Sequence, residues 1–399
     1  MYLERARQLN GTLIRHAVAL HQAGAIPPAC YLIDTDTVRA NAALLATQAA
    51  GHNLRLFFMS KQIGHNRETI AAIRAGGIDK TVAVDGRSAE LLSQQHVPLA
   101  NVGHLSQIPR SQLQWLLAER RPEFLTVFNL AQAERAAEIA AGLSTPVQAL
   151  LKVRPDGPAT FPGQEGGFYV DELKDQLPAL TSLPGLQVSG VTAYPCTTFD
   201  QAASCFRRTA ELSSLTKAAQ LVADQTGLAP HVNAPGNTAA ETLELLADWG
   251  CTSAEPGHAL TGTGPHHRQG RGAEKPAIVY VSEIVQVDDG TATAIGGGLY
   301  RRGGLRHALV GTDHSITESA PVNVRLPDAQ YIDYYFTLQL PPGHRVKVGD
   351  TVVAVLRPQV FVGYAQTAAL EGLHSGSPVL SAIRDSQGLE DQAWRTSAR

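Results

Sequence analysis

Lys61 closes the apolar run Leu56-Phe57-Phe58-Met59-Ser60-Lys61 and precedes the polar turn Gln62-Ile63-Gly64-His65-Asn66. An amine at the mouth of an apolar strand is partly desolvated, which lowers its pKa and equips it as a nucleophile toward an aldehyde. A strand-end lysine that merely extends its charge into solvent looks the same in sequence. A second place is Glu255-Pro256-Gly257-His258-Ala259-Leu260-Thr261-Gly262-Thr263-Gly264, a carboxylate followed by a Gly/Thr-rich loop. Such a loop can bring backbone N–H groups to an anion, and such a carboxylate can hydrogen-bond the ring nitrogen of a pyridine; a surface glutamate before a Pro-Gly turn is the plainer reading. The third is Asn233-Ala234-Pro235-Gly236-Asn237-Thr238. Here Asn237 or Thr238 is expected to cap a helix over 239–247, with Thr238 and Glu241 at capping-box spacing, and loop-and-cap chemistry alone also explains the segment.

The elements that must hold these residues follow from hydrophobic patterning. Eight apolar runs of strand length fall at 56–60, 81–84, 102–105, 124–128, 148–153, 188–193, 231–234 and 252–254, separated by helical patterns such as 67–75, 131–141 and 206–225. Eightfold alternation predicts a (β/α)8 TIM barrel, with an open doubly wound sheet as the other solution. In a barrel, chemistry sits at the C-terminal strand ends, and phosphate is commonly held by the loops after strands 7 and 8. Lys61 and the Asn233 and Glu255 loops are expected at those ends. From about residue 275 the runs become short, β-branched and turn-punctuated, which predicts a mostly antiparallel β domain. The expected division is a helical segment at 1–28, a barrel at 29–268 and the β domain at 269–399, with a frayed polar tail from about Asp385.

The chain has 399 residues, 44% hydrophobic and 17% charged, with a net charge of −3. That composition suits a globular enzyme and carries no electrostatic footprint for nucleic acid or a membrane surface. Cys30, Cys196, Cys205 and Cys251 lack paired spacing, which points to reduced thiols in the cytoplasm rather than disulfides or structural zinc. The N-terminal residues do not form a signal-peptide core, and no run approaches the ~20 apolar residues of a membrane-spanning helix.

Taken in order, these motifs resemble those of the fold-type III pyridoxal-phosphate enzymes: alanine racemase, the basic amino-acid decarboxylases and D-threonine aldolase. Phe57-Phe58-Met59-Ser60-Lys61-Gln62 resembles the strand that ends in the Schiff-base lysine. Asp85-Gly86-Arg87-Ser88-Ala89-Glu90-Leu91 is similar to a decarboxylase segment after strand 2, Val102-Gly103-His104-Leu105 resembles a strand-3 segment of small pyridoxal-phosphate proteins, and Glu255-Pro256-Gly257 is similar to the decarboxylases' ring-nitrogen motif. The subgroup it looks closest to is alanine-racemase-like and bacterial. The resemblance implies pyridoxal 5′-phosphate bound through Lys61 and Glu255 with Asn233 among the cofactor-binding residues, a phosphate site lined by Gly236, Asn237, Thr238, Gly257 and His258, a small amino-acid substrate and a homodimer. It also implies that Tyr194 touches the ring and that Arg154 meets the phenolic oxygen or a substrate carboxylate, although plain packing and solvent pairing serve as well.

Two departures stand out. Alanine racemase places an arginine at the ring nitrogen where this chain has Glu255, and in Ile295-Gly296-Gly297-Gly298-Leu299-Tyr300 a glycine takes the position of the catalytic tyrosine. Tyr300 is the remaining candidate for the second acid/base, and the three glycines suggest close approach of a ligand or of backbone. Asp313 and His314 are candidates for substrate specificity or a metal, although adjacent ligands on an extended segment point apart. His266-His267 reads as a polar linker, and no metal is expected. The reading is an amino-acid racemase, with a decarboxylase or aldolase-like lyase as rivals of the same chemistry, a non-catalytic cofactor-homeostasis protein as a rival of another class, and a metal-dependent barrel hydrolase using His258, His266 and His267 as a third.

Overall fold

The computed structural model describes residues 1–391. These divide into two compact units, one of residues 44–59 and 77–257, the other of 1–43, 60–76 and 258 onward.

The first unit holds a parallel barrel. After β1 (Cys30–Asp34), the segments β2 (Arg55–Leu56) and β3 (Phe58–Met59) are halves of one strand interrupted at Phe57. They are followed by β4 (Thr81–Ala83), β5 (Leu99–Val102), β6 (Phe124–Val127), β7 (Val147–Arg154), the short β8 (Phe168–Tyr169) beside β7, and β9 (Leu186–Thr192). A hairpin of β10 (Thr197–Asp200) and β11 (Cys205–Arg208) precedes β12 (His231–Asn233) and β13 (Ser253–Ala254). The hydrogen-bonded order is β2-β13-β12-β9-β7-β6-β5-β4-β3. Because β2 and β3 are consecutive in the chain, the two ends of that order meet and the sheet closes as eight strands. Buried runs such as Leu125, Val127, Leu150, Leu151 and Val191 face helices or the barrel interior, as strands covered on both sides must. Met59 N donates to Pro256 O at 2.9 Å, which fixes the exit of the first strand beside the turn that follows Glu255.

Helices lie between the strands, and their termini explain where the sequence expectations shift. The helix Arg67–Ala75 is the expected one, capped by Asn66, whose Oδ1 accepts from Thr69 N at 2.9 Å. Residues 205–208 form β11, so the helix expected over 206–225 is Ala210–Thr226, started by the Thr209 hydroxyl. The third barrel strand is β5 at 99–102, earlier than 102–105, because Gly103 turns the chain with φ +89°. Neither Asn237 nor Thr238 caps the following helix Ala240–Asp248. Ala239 occupies the cap position, and the Thr242 hydroxyl accepts from its N–H at 2.9 Å.

The second unit is built on a nine-stranded sheet. The strands Ile278–Asp288, Thr291–Ile295, His307–Gly311, Val322–Arg325, Tyr335–Gln339 and Thr351–Ala354 pair antiparallel. β1 joins the same sheet, antiparallel to Ile278–Val281 and parallel to Gln366–Leu370. The helix Tyr2–Gln22 packs Leu3, Leu13, Ile14, Ala17 and Val18 against Val279, Leu309 and Val353 in the core of this unit. It kinks at Asn10, whose side-chain amide donates to Asp34 Oδ2 at 2.8 Å and to Pro276 O at 2.9 Å. The expected frayed tail is ordered through Asp391: Arg384 bridges Thr367 and Glu390, and Asp391 N donates to Ile383 O. Residues 392–399 lie outside the described part.

Candidate active site

At the C-terminal end of the barrel strands a buried polar cluster surrounds Glu255, which follows β13 directly and is 4% exposed. Its Oε1 accepts from Asn233 Nδ2 at 2.7 Å and from Asn101 Nδ2 at 3.3 Å. Both amides are oriented by hydroxyls: Thr126 donates to Asn101 Oδ1 at 2.7 Å, and Ser253 to Asn233 Oδ1 at 2.8 Å. The Thr238 hydroxyl accepts from Glu255 N at 3.2 Å. His104 Nε2 lies 3.2 Å from Glu255 Oε2, with both side chains sealed from solvent. Two N–H donors on one oxygen favour the ionised carboxylate. Glu255 is therefore a held group, not a surface glutamate before a turn.

The loop after β12 turns through Gly236 at φ +125°, where an added Cβ would lie 3.0 Å from Cys196 N and from the Pro195 side chain. The Thr197 hydroxyl donates to Gly236 O, and Asn237 Nδ2 donates to Thr197 O at 3.0 Å. Gly257 is half-buried after the Pro256 turn. Tyr194, half-buried, lies edge-on to His104 with ring centroids 6.3 Å apart and meets Phe161 at 5.9 Å.

Arg154, at the end of β7, stacks its guanidinium over Tyr169 at 4.2 Å. Two residues earlier lies Lys152, a group the sequence reading passed over. It is 1% exposed, with Nζ 4.3 Å from the Phe128 ring centroid and 3.4 Å from Gln164 O. Burial, then the charge of Arg154, pushes its ammonium down to about 8. The signal available in sequence was a lysine inside an apolar strand, Ala149-Leu150-Leu151-Lys152-Val153.

The remaining candidates belong to the other unit. Lys61 opens the short 3-10 helix Lys61–Ile63, and its Nζ lies 5.9 Å from the Phe361 ring centroid. His258 opens another, His258–Thr261, with Nε2 3.2 Å from Gln359 Nε2 and Nδ1 3.4 Å from Thr263 Oγ1. Burial, then Arg357 and Lys61, push its imidazole well below the usual range, so it is neutral at pH 7. Tyr300 is half-buried just before the turn Arg301–Gly303.

The three glycines are explained by backbone and aromatic contacts. A Cβ on Gly296 would collide with Asp333 O, one on Gly298 with Ala365, and one on Gly297, at φ +102°, with the Tyr364 ring. The Tyr364 phenol, another group not anticipated, thus lies where a side chain on Gly297 would be. Asp313 caps the 3-10 turn His314–Glu318 by accepting from Ser315 N at 2.8 Å, and both Asp313 and His314 are exposed.

His266 and His267 are not a polar linker. They are buried with Glu274, and the three offer ligand-type atoms within 4.8 Å of one another. Gly264 N–H donates to His267 Nδ1 at 2.8 Å, which leaves Nε2 to carry the proton toward Glu274 Oε2 at 3.0 Å. That tautomer suits a hydrogen-bonded core better than metal ligation through Nε2.

Residues 33–265 match the family described as alanine racemase, N-terminal domain, and residues 279–380 match the YhfX-like C-terminal domain. The chain belongs to the alanine racemase N-terminal domain family. It is 35% identical over 390 residues to uncharacterized protein YhfX of Escherichia coli (strain K12), covering 97% of this chain and 99% of that protein. Among solved structures, D-threonine aldolase from Filomicrobium marinum superposes with a TM-score of 0.67 at 14% identity, over 91% of this chain and 96% of that one. Alanine racemase of Clostridium difficile 630 in complex with cycloserine does so with a TM-score of 0.64 at 15% identity, over 90% and 99%. These structural likenesses establish the fold: an alanine racemase-like barrel accompanied by a β domain. Within that fold Asn101, His104 and Asn233 surround the Glu255 carboxylate.

Proposed function

We propose that the protein is a pyridoxal-phosphate-dependent racemase that moves the Cα proton of a small amino acid. The observation that supports it most is Glu255, a carboxylate sealed at the end of the last barrel strand with two amide N–H groups on one oxygen. A protonated pyridine nitrogen is the partner such a carboxylate suits, and Lys61 supplies the primary amine that an aldehyde cofactor needs, so the donor set fits pyridoxal phosphate. When bound, that cofactor supplies an electron sink for the bond broken at Cα. Lys61, which follows β3 by one residue, removes and returns the proton on one face, and Tyr300 serves the other. Asn233 holds Glu255, while Gly236, Asn237, Thr238, Gly257 and His258 line the phosphate, and Tyr194 and Arg154 border the ring and substrate. A cytoplasmic homodimer completes the reading.

A second reading is favoured by Glu255 itself. A carboxylate keeps a pyridine nitrogen protonated and strengthens the sink, which suits decarboxylation or retro-aldol cleavage as well as racemisation. Visible absorbance of the purified chain, lost on Lys61→Ala, tests the cofactor. Chiral analysis of products from L- and D-amino acids then separates the fates: release of CO2 or an aldehyde without interconversion of enantiomers rejects racemisation.

A further inference from the structure

We propose that His104 is a positioning residue whose protonated imidazole is the charge that faces Glu255 and holds it ionised, which rests on the reading of Glu255 as the partner of a pyridine nitrogen. Glu255 Oε1 is occupied by the amides of Asn233 and Asn101, and Oε2 faces His104 Nε2 at 3.2 Å. Neither side chain is open to solvent, at 1% and 0% exposure. A carboxylate sealed in this way is stable as an anion only beside groups that return the lost hydration, and an imidazolium on the second oxygen does so while leaving the pair neutral overall.

The backbone aims His104 there. Val102 ends β5, Gly103 turns the chain at φ +89° and donates to Ala83 O at 3.0 Å, and His104 follows. Tyr194 stands edge-on to the imidazole, and Phe161 stands against Tyr194. Two further titratable groups lie near the pair: Tyr194, edge-on to His104, and Cys196, in the loop after β9. The Cys196 thiol is pushed well up by burial, by Cys251 and by the charge of Glu255. From the remaining strands come the uncharged Asn101, Thr126, Asn233 and Thr238. When His104 loses its proton, the charge on Glu255 is no longer compensated, so the affinity of this end of the barrel for a protonated ring becomes pH-dependent through a residue that need not touch the ring.

The test has two arms on the full-length chain. In the first, the His104 imidazole is followed by NMR through a pH titration, without cofactor, in the native protein and in Glu255→Gln. A fall in the His104 pKa of about one unit or more, a tenfold change in its acid constant, is expected when the facing carboxylate is removed; a smaller change overturns the pair. In the second, pyridoxal phosphate binding is measured by equilibrium dialysis across pH for the native chain, His104→Gln and His104→Phe. His104→Gln keeps a polar side chain facing Oε2 without titrating and is expected to bind with a flattened pH profile, while His104→Phe loses roughly tenfold or more in affinity. A pH profile in His104→Gln identical to the native one overturns the proposal, including where Glu255→Gln fails to fold. If the native chain does not bind pyridoxal phosphate, the functional reading fails while the NMR arm still decides the pair.

Discussion

Lys61 was legible because a lysine at the end of an apolar run, just before a polar turn, is a local pattern. Its expected consequence is plain: Lys61→Ala removes the cofactor's visible absorbance and lowers turnover by ~10²–10⁴-fold, read by spectroscopy and enantiomer assay. Lys152 was not legible, because an apolar flank does not reveal that Phe128 and Gln164 close over the amine. Its pKa is lowered to about 8 in the folded chain, while the unfolded lysine titrates at about 10.4. Between those values the unfolded state binds the additional proton, so the penalty for burying the charge is full below about pH 8 and fades as pH rises toward about 10. Lys152→Met is accordingly expected to stabilise the protein by on the order of 3 kcal/mol near pH 7, with the gain shrinking toward pH 10 in guanidinium titrations. A gain that does not change with pH would show that Lys152 is buried without a depressed pKa.

Elements with long, regular patterns were read closely: the helix at Arg67–Ala75, and strands such as Phe124–Val127 and Val147–Arg154. The misplacements came where a turn or cap outweighs periodicity. β5 ends early because Gly103 adopts positive φ, and the helix after β12 starts at Ala240, with the Thr242 hydroxyl rather than Thr238 accepting from the N–H of the cap residue Ala239. The Asp85-Gly86-Arg87-Ser88 motif proved to be a helix start, with Asp85 Oδ1 accepting from Ser88 N at 2.7 Å. Close strand packing supplies a test at this scale. Gly190 in β9 pairs with His231 in β12, and a Cβ there would overlap the His231 carbonyl. Gly190→Ala is expected to destabilise the barrel by about 1–3 kcal/mol or more, measured as a lowered denaturation midpoint.

For the whole molecule, the sequence alone determined the order of β and α elements, the barrel class, the β domain and the lysine and glutamate at strand ends, since each is written in periodicity or in a short contiguous motif. What it could not assign was membership across long separations. The N-terminal helix and β1 enter the core of the C-terminal sheet, where Leu13 is 1% exposed beside Leu309 and Val353. Leu13→Ala is therefore expected to cost about 2–5 kcal/mol, read from a guanidinium midpoint, although the residue lies far in sequence from its neighbours. A change near zero would mean that the helix contributes nothing to that core. The Glu255 cluster has the same character: Asn101 meets it across 154 residues and Asn233 across 22, and only barrel closure brings those side chains to one carboxylate. Local pattern fixes which chemistry a residue type can offer, whereas burial and the partners that set its charge arise from strands adjacent in space and remote in the chain. That is why Glu255 was readable as a residue, and its hold by Asn101, Asn233 and His104 only as a structure.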